Sequence, residues 1–406
     1  MRMPLEADAE QLGHHLLAQE FVEIHAHHDA DGIAAAAIVA TALHRAGRAF
    51  RLRCSPRIGP GELGGEGGVL LCDFGGSRED LPPQVMVIDH HPPRFGGEFH
   101  VNPARAEPSA GAEVAAAATA YLVAQHMGEN RDLAGLALVG MIGDRQACTG
   151  ANRGILNDGI ANGYITPGRG LVLPGRDLPE SLALSTRPYL PGISGDEPAA
   201  RKIVEECTDG EKTALDALLS LVVLRAGYAG SARGLESLYG DTYTLEKEAI
   251  PGLHSLAAVV DACGRAGLGG LGASLLLSRR PNGDAAWEAF RSYRARVIEG
   301  IRTAQPLETD GWYGIGDPAV NGPVADALVL TREGDRPVFV FAPEGESWHV
   351  SARCPEGVRM DLEAVLRELA RRCDGDGGGH RCRAGATIGA KHLDRFKKGL
   401  AGAVAA

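Results

Sequence analysis

Phe21-Val-Glu-Ile-His-Ala-His-His-Asp-Ala-Asp-Gly-Ile33 is a short apolar run that breaks into histidines and aspartates, then a glycine and an Ala-rich helical pattern. Taken as a strand over Val22 to Asp29, its side chains alternate between faces. His25, His27 and Asp29 then share one face, and Asp31 follows in the turn. Four metal-capable groups crowd one strand end, and Asp29 and Asp31 repel each other unless a cation lies between them. The bland alternative is a polar strand-to-helix turn with Asp31 as its cap. Recurrence of the pattern along the chain favours the sharper reading.

Ile33 to Ala46 reads as a helix ended by Gly47, and Arg48 to Cys54 as a strand. After a Gly-rich passage (Gly59 to Gly68), Val69-Leu-Leu-Cys-Asp73 and Val85-Met-Val-Ile-Asp89-His90-His91 are apolar runs that end in acids and imidazoles. Fully apolar strands of this kind predict a parallel sheet buried on both faces. In such sheets functional groups gather beyond the carboxyl ends of the strands, where Asp29, Asp31, Asp73 and His90 fall. Ser109 to His126 reads as an Ala-rich helix capped by Ser109, and Asp132 to Asp144 as an apolar helix that delivers one more acid. One such Asp is commonplace. Asp73, Asp89 and Asp144 together with the opening cluster make a site.

The 406 residues exceed what one core usually holds, so two or more domains are expected. A hydrophobic content of 44% and a mean hydropathy of −0.09 describe a soluble globular protein. The formal net charge of −11 argues against non-specific wrapping of nucleic acid, and bound cations would neutralise part of it. Eight scattered cysteines with no Cys-x-x-Cys pair suit a reducing, cytoplasmic setting and offer no zinc knuckle. Cys354, Cys373 and Cys382 could approach one another in the fold, and free buried thiols are the preferred reading. The N-terminus is too acidic for a signal peptide, and no apolar run reaches the ~20 residues of a membrane span, so no membrane partner is expected.

Farther on, Gly163 to Glu197 reads as loops and short turns, and residues 198 to 240 and Leu253 to Gly264 as helical. Asp284 to Ala304 is an amphipathic helix carrying Arg291, Arg294, Arg296 and Arg302. Those arginines are read as a solvated face in preference to one wall of a backbone-binding groove. Ala325 to Leu330, Pro337 to Ala342 and Trp348 to Ala352 read as strands, and Met360 to Arg372 as a helix. In Gly375-Asp-Gly-Gly-Gly-His380-Arg-Cys-Arg, unhindered backbone N–H groups stand beside an imidazole and two arginines. That is a cradle for a phosphate or a strand terminus; the alternative is a flexible loop before a final strand.

The candidate metal ligands are His25 and/or His27, Asp29, Asp31, Asp73, His90 and Asp144. Carboxylates mixed with imidazoles, without thiolate, suit Mn²⁺ or Mg²⁺ better than structural zinc. The count suits two ions about 3.5–4 Å apart, bridged by a carboxylate. Such a pair activates a water and clamps a phosphoryl oxygen, so hydrolysis of a phosphate ester or anhydride is expected.

Asp89-His90-His91, with His-x-x-x-Asp-x-Asp-Gly upstream and isolated Asp73 and Asp144, resembles the DHH phosphoesterase superfamily. The Gly377-Gly378-Gly379-His380 stretch resembles its DHHA1 domain. Gly143-Asp-Arg-Gln146 and Ala262-Cys-Gly-Arg265 look most like archaeal RecJ-like exonucleases, including the GINS-associated nucleases. The resemblance implies an α/β fold with an active-site cleft between two domains. These are a parallel-sheet DHH catalytic domain over 1–195 and a smaller α/β DHHA1 substrate-binding domain over 306–406, joined by a helical connecting region over 196–305. It further implies that His25 or His27, Asp29 and Asp73 hold one Mn²⁺, and that Asp31, Asp73, His90 and Asp144 hold the other. His91 would contact the scissile phosphate, and Asp89 would orient the histidines. Ser351, Arg353, Gly378, Gly379 and His380 would hold the nucleic-acid end. Whether the upstream ligand is His25 or His27 stays open, because strand alternation puts both on one face.

The leading expectation is therefore a two-metal exonuclease that releases nucleotide monophosphates from single-stranded DNA or RNA, with GINS and other replication proteins as partners. A second is a phosphodiesterase or phosphatase for short oligonucleotides, pAp or a cyclic dinucleotide. A third is a non-enzymatic replisome scaffold, which would have no need to keep the metal set.

Overall fold

The computed structural model describes residues 4–63, 67–210, 212–227, 231–279, 283–332, 334–355, 357–358 and 360–405. Residues 64–66 of the Gly-rich passage lie outside them. In chain order, the first elements are α1 (Pro4–Ala18), β1 (Phe21–His27), α2 (Ala30–Arg45), β2 (Ala49–Ser55), β3 (Gly68–Cys72), β4 (Met86–Ile88) and β5 (His100–Val101). Next come α3 (Ala116–Gln125), α4 (Ala134–Gly143), α5 (Gly150–Ala161), β6 (Ile165–Leu171), α6 (Leu178–Ala183) and α7 (Glu197–Glu206). A short hairpin, β7 (Thr208–Asp209) and β8 (Lys212–Thr213), precedes α8 (Leu215–Ala226), α9 (Ala232–Glu236) and β9 (Tyr239–Leu245). Helices α10 (Leu253–Arg265), α11 (Gly269–Ser278) and α12 (Asp284–Arg302) follow. The chain ends with β10 (Gln305–Pro306), β11 (Trp312–Gly314), α13 (Asn321–Thr331), β12 (Val338–Glu344), β13 (Ser347–Arg353), α14 (Leu362–Arg371), β14 (Asp376–His380), β15 (Arg383–Gly389) and α15 (Leu393–Ala405).

The protein has an α/β fold and divides into two units, Met1–Arg169 with Asp241–Arg291, and Gly170–Gly240 with Ser292–Ala406. The first is built on a parallel sheet of order β2-β1-β3-β4-β5. Ile24, Leu70 and Met86 are fully buried, and α2 packs against α3 and α4. The opposite face of β3 and β4 (Val69, Leu71, Val87) is covered by Leu81, Phe95, Ile58, Leu63 and Phe74, which come from connecting segments. Both faces of β3 and β4 are buried, as their apolar runs predict, whereas the edge strand β2 is partly exposed. Asp29, Asp73 and Asp89 each follow the last residues of a strand, so the functional groups meet at the carboxyl edge.

The second unit holds a six-stranded sheet, β10-β11-β12-β13-β15-β14, antiparallel except where β11 runs parallel to β12. Its core joins Phe339, Phe341, Val350 and Ala352 to Leu362, Leu366 and Ala370 of α14 and to Phe396 and Leu400 of α15. A smaller core gathers Leu182, Leu190, Ile203, Leu218 and Val222 around α6, α7 and α8.

Several local expectations give way: Gly163 to Glu197, read as loops and short turns, carries strand β6 and helix α6. Ala325 to Leu330, read as a strand, lies inside helix α13. A short apolar run has no decisive period, and its Ala and Leu residues serve a helix as readily. The helix expected from Ser109 begins only at Ala116, because Pro108–Ala112 forms a tight turn whose Gly111 lies against the His90 backbone. The Gly-rich stretch before His380 is the edge strand β14, paired along its length with β15. The α12 arginines also have partners: Arg291 pairs with Glu288, Arg294 with Thr186, Arg296 with Asp317, and Arg302 with the Ser194 carbonyl. Among the described residues no helix is long and apolar enough to cross a membrane.

Candidate metal centre

The opening stretch folds so that Asp29 and Asp31 do different work. Asp29 is the cap of α2, its Oδ1 accepting from the Gly32 N–H at 3.1 Å. Asp31 instead caps α3 across space: its two carboxylate oxygens accept from the Ala116 and Ala117 N–H groups, both at 2.8 Å. A helix N-terminus favours negative charge, which fixes this fully buried side chain. The approach is close enough that a Cβ at Gly140 would stand 2.1 Å from Asp31 Oδ1, so α4 needs a glycine there.

Around these two acids three clusters form, each with its ligand atoms within 4.8 Å of one another: His27, Asp29 and Asp73; Asp31, His90 and Asp144; and Asp73, Asp89 and His91. His27 Nδ1 lies 2.8 Å from Asp29 Oδ2 and 3.1 Å from Asp73 Oδ2. His90 Nε2 lies 3.5 Å from Asp31, 3.3 Å from Asp73 Oδ1 and 3.0 Å from Asp144. Asp73 thus faces both histidines, one oxygen to each, and stands between the first two clusters. It adopts φ of 64°, a conformation Asp tolerates better than most residues. His25, the other candidate upstream ligand, joins none of the clusters. It sits two residues earlier on β1, about 7 Å short of the strand end. Its Nε2 is 3.5 Å from Glu23, which pairs with Arg51.

Supporting contacts orient the imidazoles. His90 Nδ1 meets the Gly111 carbonyl at 2.7 Å, which assigns the proton to Nδ1 and leaves Nε2 facing the carboxylates. His91 Nδ1 meets Asp89 Oδ1 at 2.8 Å. Asp89 is itself held by the Gly76 and His90 N–H groups at 2.7 and 2.8 Å. Gly111, Gly76, Gly140 and Asn102, which donates to the His91 carbonyl, carry no sequence signal that marks them as parts of a site. Arg265 on α10 pairs with Asp261 and lies near Asp29 and His28.

The electrostatics reveal what the cluster lacks. Burial, then the charges of Asp73 and Asp144, push the Asp31 carboxyl well above its usual range. Burial and Asp29 likewise raise Asp73, against His27 and His90. Burial opposes the charged form of Asp29 too, yet His27 holds that carboxyl well below its usual range. Burial would neutralise His27 and His90, but Asp29 and Asp73 beside the first, and Asp144 and Asp73 beside the second, raise both. Without a cation, Asp31 and Asp73 are pushed toward their protonated forms, and His27 and His90 toward theirs. A divalent ion would displace those protons, so the donor set fits a hard cation. His27, Asp29, Asp73, Asp31, His90 and Asp144 are the residues placed to hold it.

In the second unit, register rather than sequence proximity assembles the predicted substrate residues. Ser351 pairs with Gly385, which pairs with Gly378; Arg353 pairs with Arg383, which pairs with His380. Ser351, Arg353, Gly378 and His380 therefore share one face of the sheet, while Gly379 lies in the row of Ala352 and Ala384. A Cβ at Gly378 would meet nothing within 4 Å. Arg353 is largely buried and bonded to Asp326 and to the Ala352 carbonyl.

Known proteins agree with this architecture. Residues 21–141 match the DHH family, N-terminal domain, and residues 315–406 match the DHHA1 domain, together more than half the chain. The chain belongs to the DHH phosphoesterase superfamily. It is 26% identical to an uncharacterized protein of Methanocaldococcus jannaschii over 93% of this chain and 92% of that one. Its fold is that of RecJ in complex with Mn²⁺ from Thermus thermophilus, with a TM-score of 0.61 and 20% identity. That match covers 100% of this DHH protein but only 55% of RecJ. CDC45 from Entamoeba histolytica shares the fold at 11% identity, with a TM-score of 0.58 over 99% of this chain and 98% of that one.

Proposed function

We propose that this protein is an exonuclease that releases nucleotide monophosphates from the end of single-stranded DNA or RNA, with Mn²⁺ as its metal and Mg²⁺ as a substitute. The observation that carries the reading is Asp73, buried between two imidazole–carboxylate clusters. Bound divalent ions supply Lewis acidity to an attacking water and to the phosphoryl oxygens. The chain's own groups do the positioning. The two N–H groups at the start of α3 hold Asp31 still, and the Gly111 carbonyl keeps His90 Nε2 toward the acids. Asp89 accepts a hydrogen bond from His91 Nδ1 and so orients the ring, and His91 contacts the scissile phosphate. Asp89, at the opposite side of that ring, keeps the imidazole charged more readily than burial alone allows. Residues 1–195 carry this chemistry, 196–305 connect, and 306–406 hold the strand end through Ser351, Arg353, Gly378, Gly379 and His380. A replication-protein partner such as GINS belongs to the same reading and is tested by co-purification.

The test is incubation with Mn²⁺ and strands labelled at either end, DNA and RNA, of several lengths, beside an Asp89→Ala/His90→Ala control. Stepwise monomer release that the control lacks is expected. Hydrolysis of dinucleotides or pAp with every strand intact would replace the exonuclease by a small-substrate phosphodiesterase. Inertness on all substrates despite bound metal would bring the scaffold forward.

A further inference from the structure

The ladder between β13 and β15 runs from Ser347 opposite Gly389 to Arg353 opposite Arg383. One step beyond it, Cys354 faces Cys382, and the Cys354 N–H donates to the Cys382 carbonyl at 3.0 Å. Directly opposed residues of a hydrogen-bonded antiparallel pair have Cα atoms about 5.5 Å apart. Disulfides span Cα separations of about 4.4–6.8 Å. Burial, then the neighbouring Cys382 thiol, push the Cys354 thiol up to about 12. Their exposures differ. Cys354 is half-buried with Sγ against the Met360 carbonyl at 3.9 Å, whereas Cys382 is exposed in the turn between β14 and β15, flanked by Arg381 and Arg383. Cys373, the third cysteine of this region, is buried in the apolar core of the unit.

We propose that Cys354 and Cys382 form a reversible redox pair that closes into an intramolecular disulfide across the end of the β13–β15 ladder. Cys382 is the entry point. A peroxide converts its thiol to a sulfenic acid, releasing one water. The Cys354 sulfur then attacks the Cys382 sulfur, the S–O bond breaks, and the hydroxyl leaves as a second water with the Cys354 proton. In sum, two thiols lose two hydrogens to one peroxide. A dithiol reductant reverses the step by exchange. In a reducing compartment the bond is transient. Its mechanical effect is local: it pins the turn that joins Gly379-His380 to Arg383, where the Cys354 N–H already meets the Cys382 carbonyl at 3.0 Å and the Leu362 N–H meets the Arg381 carbonyl at 2.8 Å.

The experiment treats the full-length, Mn²⁺-loaded protein with hydrogen peroxide, blocks free thiols under denaturing conditions and maps peptides by mass spectrometry. The expected product is a Cys354–Cys382 linked peptide, two hydrogens lighter than its parts, that dithiothreitol separates. It should be absent from Cys382→Ser, a surface change that spares folding, and present in Cys373→Ser. Sulfinic acid at Cys382 with Cys354 still alkylated would overturn the proposal. So would Cys382 linked only between two molecules. The readout is covalent, so it stands or falls independently of the exonuclease reading.

Discussion

Two buried acidic sites in this protein, one a lone aspartate and one a cluster, are balanced in opposite ways. In the second unit, Asp326 is 3% exposed and has two guanidinium partners, Arg353 and Arg383. In the first unit, Asp29, Asp31, Asp73 and Asp144 gather around the imidazoles of His27 and His90. Arginine is always charged, so Asp326 is satisfied by the fold itself. Imidazoles are charged only when protonated, so the first cluster is satisfied either by protons or by a metal. A buried acidic site that leans on histidine is therefore a request for a cation, and one paired with arginine is not.

The strongest way to break that contrast is Asp73→Asn, which keeps the shape and removes the charge between the two clusters. Hydrolysis should fall by more than the ~10–100-fold typical of outer-shell changes, with weaker Mn²⁺ binding by calorimetry. The wild-type melting temperature should rise with Mn²⁺, since ligand at a hundred times Kd adds about 2.7 kcal/mol. A variant that binds and hydrolyses as before would remove Asp73 from the centre. Asp326→Asn tests the other side. It strands two arginine partners, so chemical denaturation should show a loss of about 3–5 kcal/mol that Mn²⁺ does not restore. If Mn²⁺ rescued it, the two sites would not be separable as argued.

The parallel sheet and its acid-bearing edge were legible because apolar strands that each end in Asp leave a one-dimensional mark. Asp73, Asp89 and His90 could be placed from that mark alone. The choice between His25 and His27 could not, because alternation gives a face and not a distance along the strand. The Asp31 cap on α3 joins residues far apart in sequence, so Ser109 looked the better cap until the fold brought Ala116 to Asp31. Gly76, Gly111 and Gly140 act through close approach, which a glycine's identity does not announce. The Gly-Gly-Gly-His stretch resembled a loop because glycine carries no strand propensity; its strand character comes from β15 alongside it.

A smaller version of the same contrast lies within the first unit, where one arginine serves two acids unequally. Arg279 is 2.8 Å from Asp132 and 3.5 Å from Glu248. The Glu248 side chain is buried, its Oε2 has no hydrogen-bond partner among the described residues, and burial raises its carboxyl to about 7 against only partial relief from Arg279. A raised carboxyl stabilises the fold in its protonated form. That stability is complete below pH 4.5 and is lost as pH rises toward 7. Glu248→Gln should therefore flatten the pH dependence over that window and leave the variant more stable than the parent above it. The difference is about 3 kcal/mol at most. A parent whose stability does not fall across this window would show that Arg279 satisfies Glu248 after all.

Asp132 makes the opposite prediction at the acid end. Burial would raise it, but hydrogen bonds from Arg45 and Arg279 hold it down, to about 2. A lowered carboxyl stabilises in its charged form, so its contribution is present above its ordinary value of 3.8 and disappears as pH falls toward 2. Asp132→Asn should cost about 2 kcal/mol near neutral pH and nothing in acid, so the unfolding curves of parent and variant converge below about pH 2. Because both acids lean on Arg279, the two substitutions should not add. Removing the Asp132 charge frees the guanidinium for Glu248 and takes away a repelling neighbour, so Glu248 ionises more easily in that background. Glu248→Gln should then gain less stability at neutral pH beside Asp132→Asn than it does alone. Strict additivity would mean that Arg279 does not divide its charge between the two acids, and that Glu248 is raised by burial alone.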